Sequence, residues 1–172
     1  MKIKLVKTKN PNNIPKILRE KSKPVEKITP EILDLAEKMT EIMNRTDGVG
    51  ISAVQVGQLL RMMIVKVPTQ KTESDSLSMD MVFINPEIIK LSGKKVAFNE
   101  GCLSFPDIFV EIIRPDICKI RFTDISGNLC EMESAGIVGR AFQHEIDHMG
   151  GILYFDHIKD GVKGLKKQKI SN

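Results

Sequence analysis

The chain has 172 residues, of which 41% are hydrophobic and 5% aromatic, and its formal net charge is +4. This length suits one domain with a single core, and no apolar run approaches the roughly 18 residues that a membrane-spanning helix needs. The N-terminus lacks a long apolar stretch, and three widely spaced cysteines do not form a disulfide framework, so we expect a cytoplasmic protein without a secretory signal or a membrane partner.

The charge is unevenly distributed along the chain. Residues 1–27 carry 9 basic and 2 acidic side chains, residues 159–172 carry 5 and 1, and the middle carries 12 and 19. Basic ends can contact RNA or a ribosome surface, although solvated tails are the commoner explanation, and nothing predicts specific DNA binding. We expect a single domain over residues 1–172, with its core at about 14–158 and a basic tail at 159–172.

Two helices are predicted, one near each end of the domain. A polar extended arm runs through Pro24, and Thr29 then caps an amphipathic helix that continues to about Arg45. The second helix runs from about Ile137 to Met149 and ends at Gly150-Gly151. In the basic tail, two further glycines make a stable helix unfavourable.

Apolar and β-branched runs between the helices predict a set of strands. A polar surface loop is predicted at residues 69–80, and the short apolar segment at residues 152–158 suggests another strand. The pattern as a whole predicts an α+β fold of mostly antiparallel strands with a helix near each end. The six predicted strands are Met62–Val67, Met81–Ile89, Val96–Phe98, Phe109–Ile113, Ile117–Phe122 and Leu129–Met132.

The second helix carries the sequence His144-Glu145-Ile146-Asp147-His148. Residues four apart lie on the same helix face, so the two imidazoles can hold one divalent metal while Glu145 projects beside them as a general base. The alternative is a polar helix face with two surface histidines. The interleaved Phe142, Ile146 and Met149 indicate a half-buried helix, which favours the metal site.

A hydrolytic metal centre needs a third protein ligand. The position that holds a third histidine in metzincins is Tyr154, and no glutamate follows His148. Asp156, His157 and Asp160 are downstream candidates. We expect the third ligand to come from upstream instead, which makes the metalloproteases that these patterns mark poor matches.

One upstream segment that can supply this ligand is Glu100–Pro106. Cys102 within it is a soft ligand that would complete a Cys-His-His set with a fourth position open, although a buried small hydrophobe is the usual role of a free cysteine. Cys118 and Cys130 lie in alternating strand patterns and are expected in the core.

A second segment, Gly48–Ala53, matches the glycine-rich dinucleotide fingerprint in form only. A helix precedes it and no βαβ unit surrounds it, so dinucleotide binding is rejected. The glycines allow a ligand to approach the backbone, with the Gln55 amide nearby, or they form a turn that ends the first helix.

Together these segments resemble the peptide deformylase family, whose three signatures appear here in the same order. They are Gly48 to Gln55, Glu100 to Ser104 and Gln143 to His148, and the resemblance extends from about residue 17 to residue 156. Ser52 and Met149 depart from the family pattern, where alanine and leucine are usual. Ser52 can add a polar contact that alters the fit of substrates or inhibitors.

The resemblance implies hydrolysis of the N-formyl group from formyl-methionine on nascent polypeptides, with release of formate. It implies one divalent metal, Fe²⁺ natively with Ni²⁺, Co²⁺ or Zn²⁺ as substitutes, held by Cys102, His144 and His148. Glu145 would be the general base, and the Gln55 amide and the Leu103 N–H would stabilise the oxyanion. The implied peptide-site positions are Val49, Gly50, Glu100 and Gly101.

Helix spacing predicts an apolar pocket for the methionine side chain. Ile137 and Ala141 lie three or four residues before the histidines on one stripe of the helix, and Val49 is expected on the opposite wall. Arg140 also lies near this face, and we expect its charge to reach the pocket rim or solvent.

Two other functions are open to the sequence. A catalytically silent domain that binds a metal and recognises peptide N-termini would normally have lost Glu145, Gln55 or a ligand, and all are present. A structural zinc module needs four ligands, and only three are evident.

Overall fold

The computed structural model describes residues 2–69 and 78–167. The described residues form an α+β fold in which five strands make one antiparallel sheet of order β1-β2-β3-β4-β5. This confirms the predicted fold class. The elements are α1 Pro30–Arg45, β1 Gly50–Ser52, β2 Met62–Pro68, β3 Ser78–Cys102, β4 Phe105–Thr123, β5 Leu129–Ser134 and α2 Gly136–Met149, with short 3₁₀ helices at Lys16–Arg19, Ala53–Val56, Tyr154–His157 and Gly161–Lys167.

The two long strands β3 and β4 each unite two predicted strands. Their pairing is interrupted by register shifts, one of them between Ser92 and Lys95. Such bulges break the alternation of apolar and polar residues without ending the strand, which explains why the sequence suggested separate segments. Strand β3 already begins at Ser78, inside the predicted loop at 69–80; the middle of that loop lies outside the described residues.

Both predicted helices are confirmed to within one residue. Helix α1 has Pro30 at its first position and buries Leu35, Met39 and Met43 in a core cluster with β1 and β2. Helix α2 packs on the other part of the sheet, where the Phe142 ring lies 5.2 Å from that of Phe83. No helix of the described residues is long and apolar enough to span a membrane.

The segment after α2 is not the predicted strand. It forms the 3₁₀ helix Tyr154–His157, because the Asp156 carboxylate accepts the Leu153 N–H at 2.8 Å and also pairs with Arg19. Arg19 belongs to a 3₁₀ helix that interrupts the arm predicted as extended. Residues 161–167 also form a 3₁₀ helix, although their two glycines predicted that a stable helix would be unfavourable.

Candidate metal centre

Three potential metal ligands converge between the end of β3 and helix α2. Ligand atoms of Cys102, His144 and His148 all lie within 4.8 Å of one another, and Cys102 Sγ is 3.2 Å from His148 Nε2. Both histidines are buried. Burial and the neighbouring His144 lower the pKa of His148 well below its usual value, so its ring is neutral, as a ligand must be. A thiolate and two imidazoles this close fit a divalent transition metal.

The His144 ring is oriented from behind by Glu100, whose Oε2 lies 3.1 Å from His144 Nδ1. Burial alone would raise the pKa of Glu100, but hydrogen bonds from His144 and Arg114 lower it to about 2. The ionised carboxylate only accepts hydrogen bonds, so His144 carries a proton on Nδ1 and its Nε2 is the atom available to a metal. Burial alone would lower the pKa of His144, but hydrogen bonds with Cys102 and Glu100 raise it well above its usual value, so metal binding would displace a second proton from Nε2.

Two buried arginines hold Glu100 in place. Arg114 donates to both carboxylate oxygens at 2.7 and 3.1 Å and reaches Asp147 on α2 at 2.7 Å. Arg140 donates to Oε1 at 2.7 Å and to the carbonyls of Val96 and Ile112. Arg140 lines the cavity as expected, but its charge does not reach solvent, because the side chain is buried and pairs with the Glu100 carboxylate.

The sequence did not reveal the role of Arg114, which lies between two predicted strands. It also did not reveal that Asp147 contacts His157. The only available signal was indirect, since a carboxylate such as Glu100 that is to be buried needs a cationic partner. His157 Nε2 lies 2.7 Å from Asp147 Oδ2, and Arg19 pairs with Asp156. Among the described residues, none of the downstream candidates Asp156, His157 and Asp160 belongs to the ligand cluster.

Gln55 lies beside the cluster with its amide orientation fixed by hydrogen bonds. Its Oε1 accepts from the Ser52 N–H at 2.8 Å and from the Ser52 hydroxyl at 3.1 Å. Its Nε2 therefore faces Cys102 Sγ at 3.4 Å and Ser104 Oγ at 3.3 Å. Ser52 and Gln55 are both fully or almost fully buried. Only the hydroxyl contact depends on the serine side chain, because the backbone N–H is present in any residue at this position.

Glu145 is buried next to the ligands and lies directly over strand β1. A Cβ on Gly50 would come within 2.9 Å of Glu145 Oε1, so a larger residue there would push the carboxylate out of its present position. Burial raises the pKa of Glu145 to about 7. Its Oε2 has no hydrogen-bond partner among the described residues, which leaves one carboxylate oxygen able to accept a proton.

A cavity of about 590 Å³ opens in front of these residues. Cys102, His144 and Glu145 lie at its wall, so the ligands can be reached from it. The remaining predicted positions that line it are Val49, Gly50, Glu100, Gly101, Leu103, Ile137 and Ala141. His148 and Gln55 are the two predicted site residues that do not line the cavity.

The other two cysteines differ from Cys102 as expected. Cys118 is fully buried in the core and Cys130 packs against the same cluster. Burial raises the pKa of the Cys118 thiol to about 12, so it stays a neutral thiol. All three cysteines are free of disulfides.

Comparisons with known proteins agree with this geometry. The family model described as polypeptide deformylase matches residues 4–163. A peptide deformylase of Rhodopseudomonas palustris is 40% identical over 155 residues, which are 90% of this chain and 87% of the relative. The Ehrlichia chaffeensis peptide deformylase structure is similar with a TM-score of 0.79 and 33% identity, covering 95% of each chain.

Two further structures are equally similar in fold. The plant peptide deformylase PDF1B matches with a TM-score of 0.81 and 36% identity over 96% of this chain and 85% of its own. The Synechococcus elongatus enzyme in complex with actinonin matches with a TM-score of 0.81 and 28% identity over 96% and 84%. The chain belongs to the peptide deformylase family, metal-dependent hydrolases that remove the formyl group from the N-terminal formyl-methionine of nascent polypeptides.

Proposed function

We propose that Cys102, His144 and His148 hold one divalent metal, Fe²⁺ in the native enzyme, for this deformylation. The observation that carries the proposal is a half-buried thiol with two buried imidazoles, whose ligand atoms lie within 4.8 Å of one another beside a cavity that Glu145 also lines. The donor set also suits Ni²⁺, Co²⁺ and Zn²⁺. Fe²⁺ itself is supported by the resemblance to the family.

Glu145 is proposed as the general base. A divalent metal bound at the cluster would lower the pKa of a water molecule and polarise the formyl carbonyl. The Glu145 carboxylate takes the proton of the attacking water and delivers it to the leaving amine. Its burial and its unpartnered Oε2 support this role, because a carboxyl pKa near 7 suits both accepting and releasing a proton.

Gln55 and Leu103 are proposed to stabilise the negative charge that develops on the formyl oxygen. Two donors from Ser52 fix the Gln55 carbonyl, so its NH₂ group points toward the ligands before substrate binds. Such preorganisation is what makes an oxyanion site effective, because no donor has to reorient during the reaction. The Leu103 backbone N–H, next to Cys102, is the second donor.

The methionine side chain is proposed to occupy the apolar part of the cavity. Ala141 is 8% exposed beside the metal-binding histidines, while Val49 and Ile137 are 38% and 48% exposed and offer apolar surface to a ligand. Gly50 and Gly101 allow close backbone approach of the peptide. Glu100, which orients His144, also contributes to the cavity wall.

The proposal extends to the setting of the reaction. The substrate is a chain under synthesis, so we place the enzyme in the cytoplasm, with a ribosome contact through its basic ends. The excess of basic residues at 1–27 and 159–172 supports that contact. Cosedimentation with ribosomes at low and high salt tests it.

The main experiment measures formate release from a formyl-Met peptide. Protein purified without oxygen is reconstituted with Fe²⁺, Ni²⁺ or Zn²⁺ in parallel, and turnover is compared with metal content. We expect activity to follow metal loading, with Fe²⁺ supporting full turnover. A metal-loaded protein that binds the peptide without releasing formate would instead indicate the catalytically silent alternative.

A further inference from the structure

We infer that Lys7 binds an acidic side chain of the substrate peptide downstream of the formyl-methionine, an inference that rests on the proposed function. Lys7 is exposed and lines the same cavity as Cys102 and Glu145. The ligand it would bind is the carboxylate of an Asp or Glu side chain. Its ammonium group offers three donors and no acceptor, which suits that partner.

The backbone on both sides of Lys7 is tied to the segments that carry the catalytic groups. The Val6 N–H donates to the Gln55 carbonyl at 2.7 Å, and the Thr8 N–H donates to the Ser104 carbonyl at 2.9 Å. Leu5 and Lys7 line the cavity, while Val6 between them packs in a core cluster. These bonds hold the backbone of Lys7 at a fixed place relative to Gln55.

The charge of Lys7 is available to a ligand. Among residues 2–69 and 78–167, no carboxylate forms an ion pair with it. The other cations near this cavity are already used: Arg140 pairs with Glu100 and Lys9 with Asp107 at 2.9 Å. A peptide carboxylate that enters the cavity thus meets one cation without a partner.

Asp47 is the matching unpaired acid on the cavity wall. It is exposed, follows α1 and has no ion-pair partner among the described residues. Its charge repels an acidic peptide and attracts a basic one, so the two side chains act in opposite directions. A substitution of Asp47 should therefore change the charge preference for the peptide in the direction opposite to a substitution of Lys7.

The experiment compares peptides that differ in one charge. Metal-loaded full-length enzyme is given amidated formyl-Met tetrapeptides with Asp or Lys at the second, third or fourth position, and kcat/KM is measured for each. Lys7→Glu is the test variant. Lys4→Glu is the matched control, because Lys4 is an exposed lysine of the same arm that does not line the cavity.

At one of these positions, Lys7→Glu is expected to lower the Asp-to-Lys ratio of kcat/KM by about 3- to 10-fold, mainly through KM, as a weakly screened surface charge pair allows. Asp47→Asn should raise the same ratio, and Lys4→Glu should leave it unchanged. Salt at about 1 M should reduce both effects, because it shortens the Debye length to about 3 Å.

The inference is overturned if Lys7→Glu changes the ratio no more than Lys4→Glu at every position. It is also overturned if the effect lies in kcat alone or persists at high salt, because an altered fold of the arm would explain either result. Failure of the proposed function looks different: the metal-loaded wild-type enzyme would then release formate from none of the peptides.

Discussion

His144 Nδ1 lies 3.1 Å from Glu100 Oε2, so a strand residue sets the direction of a helix histidine. Glu100 is 4% exposed and receives two guanidinium groups, of which Arg114 also reaches Asp147 on α2. The two arginines thereby hold the Glu100 carboxylate in place, and Arg114 also links α2 to β3. The position of the proposed metal ligand therefore depends on a buried charge network that contains no ligand other than His144.

Removing Arg114 should destabilise the fold. Arg114→Met leaves Asp147 without a guanidinium partner and Glu100 with only Arg140, and breaking a buried pair of this kind costs about 3 kcal/mol or more of unfolding free energy. Urea unfolding of the metal-free protein measures it. The control is Arg121→Met, which removes an exposed pair with Glu131 and should cost far less. Equal losses in the two variants would contradict the role of burial.

Glu145→Gln should retain metal and lose turnover. Glutamine keeps the shape of the side chain but cannot accept the proton of water, and loss of a general base costs about 10²- to 10⁴-fold in rate. Metal analysis together with formate release measures both effects. Near-normal activity in a metal-replete variant would show that another group is the base.

Cys102→Ala should lose metal, whereas Cys130→Ala should keep it. The first variant removes one of three clustered donors, and the second removes a half-buried thiol that packs against the core. Cys118→Ala should also keep its metal, with some loss of stability because the site is fully buried. Unchanged stoichiometry and affinity in Cys102→Ala would return that residue to a packing role.

Ser52→Ala should reduce kcat by about 2- to 10-fold, the value of one buried hydrogen bond. The Ser52 hydroxyl is the second donor to Gln55 Oε1, and without it the amide is held by one backbone N–H alone. A double-mutant cycle distinguishes this from a general packing effect. In a Gln55→Ala background the Ser52 substitution should change kcat little; an undiminished effect would mean that Ser52 acts through its hydrogen bond with Glu145 instead.

Ala141→Leu should raise KM for formyl-Met peptides about 10-fold and affect formyl-Gly peptides less. Ala141 lines the cavity and is almost fully buried, so added carbons occupy space assigned to the methionine side chain. The wild type should prefer formyl-Met strongly over formyl-Gly and only slightly over formyl-norleucine. Steady-state kinetics on the three peptides checks this; equal rates for Gly and Met would exclude the pocket.

The sequence determined the elements whose signals are local. Pro30 and the helical spacing of Leu35, Met39 and Met43 were enough to predict α1, and the four-residue spacing of His144 and His148 put both on one face of α2. Both patterns depend on a fixed number of residues per turn, so neighbours in the sequence carry the whole signal.

Only the tertiary structure decided the contacts between distant segments. Tyr154 and Phe155 form a 3₁₀ helix rather than a strand because they pack with Leu18 and Phe105, far away in the chain. Arg140 is buried because Glu100, 40 residues earlier, meets it there. Such side-chain partners come together only when distant segments, such as β3 and α2, pack against each other. The spacing of residues along the chain does not indicate which charged or apolar group will lie opposite a given residue.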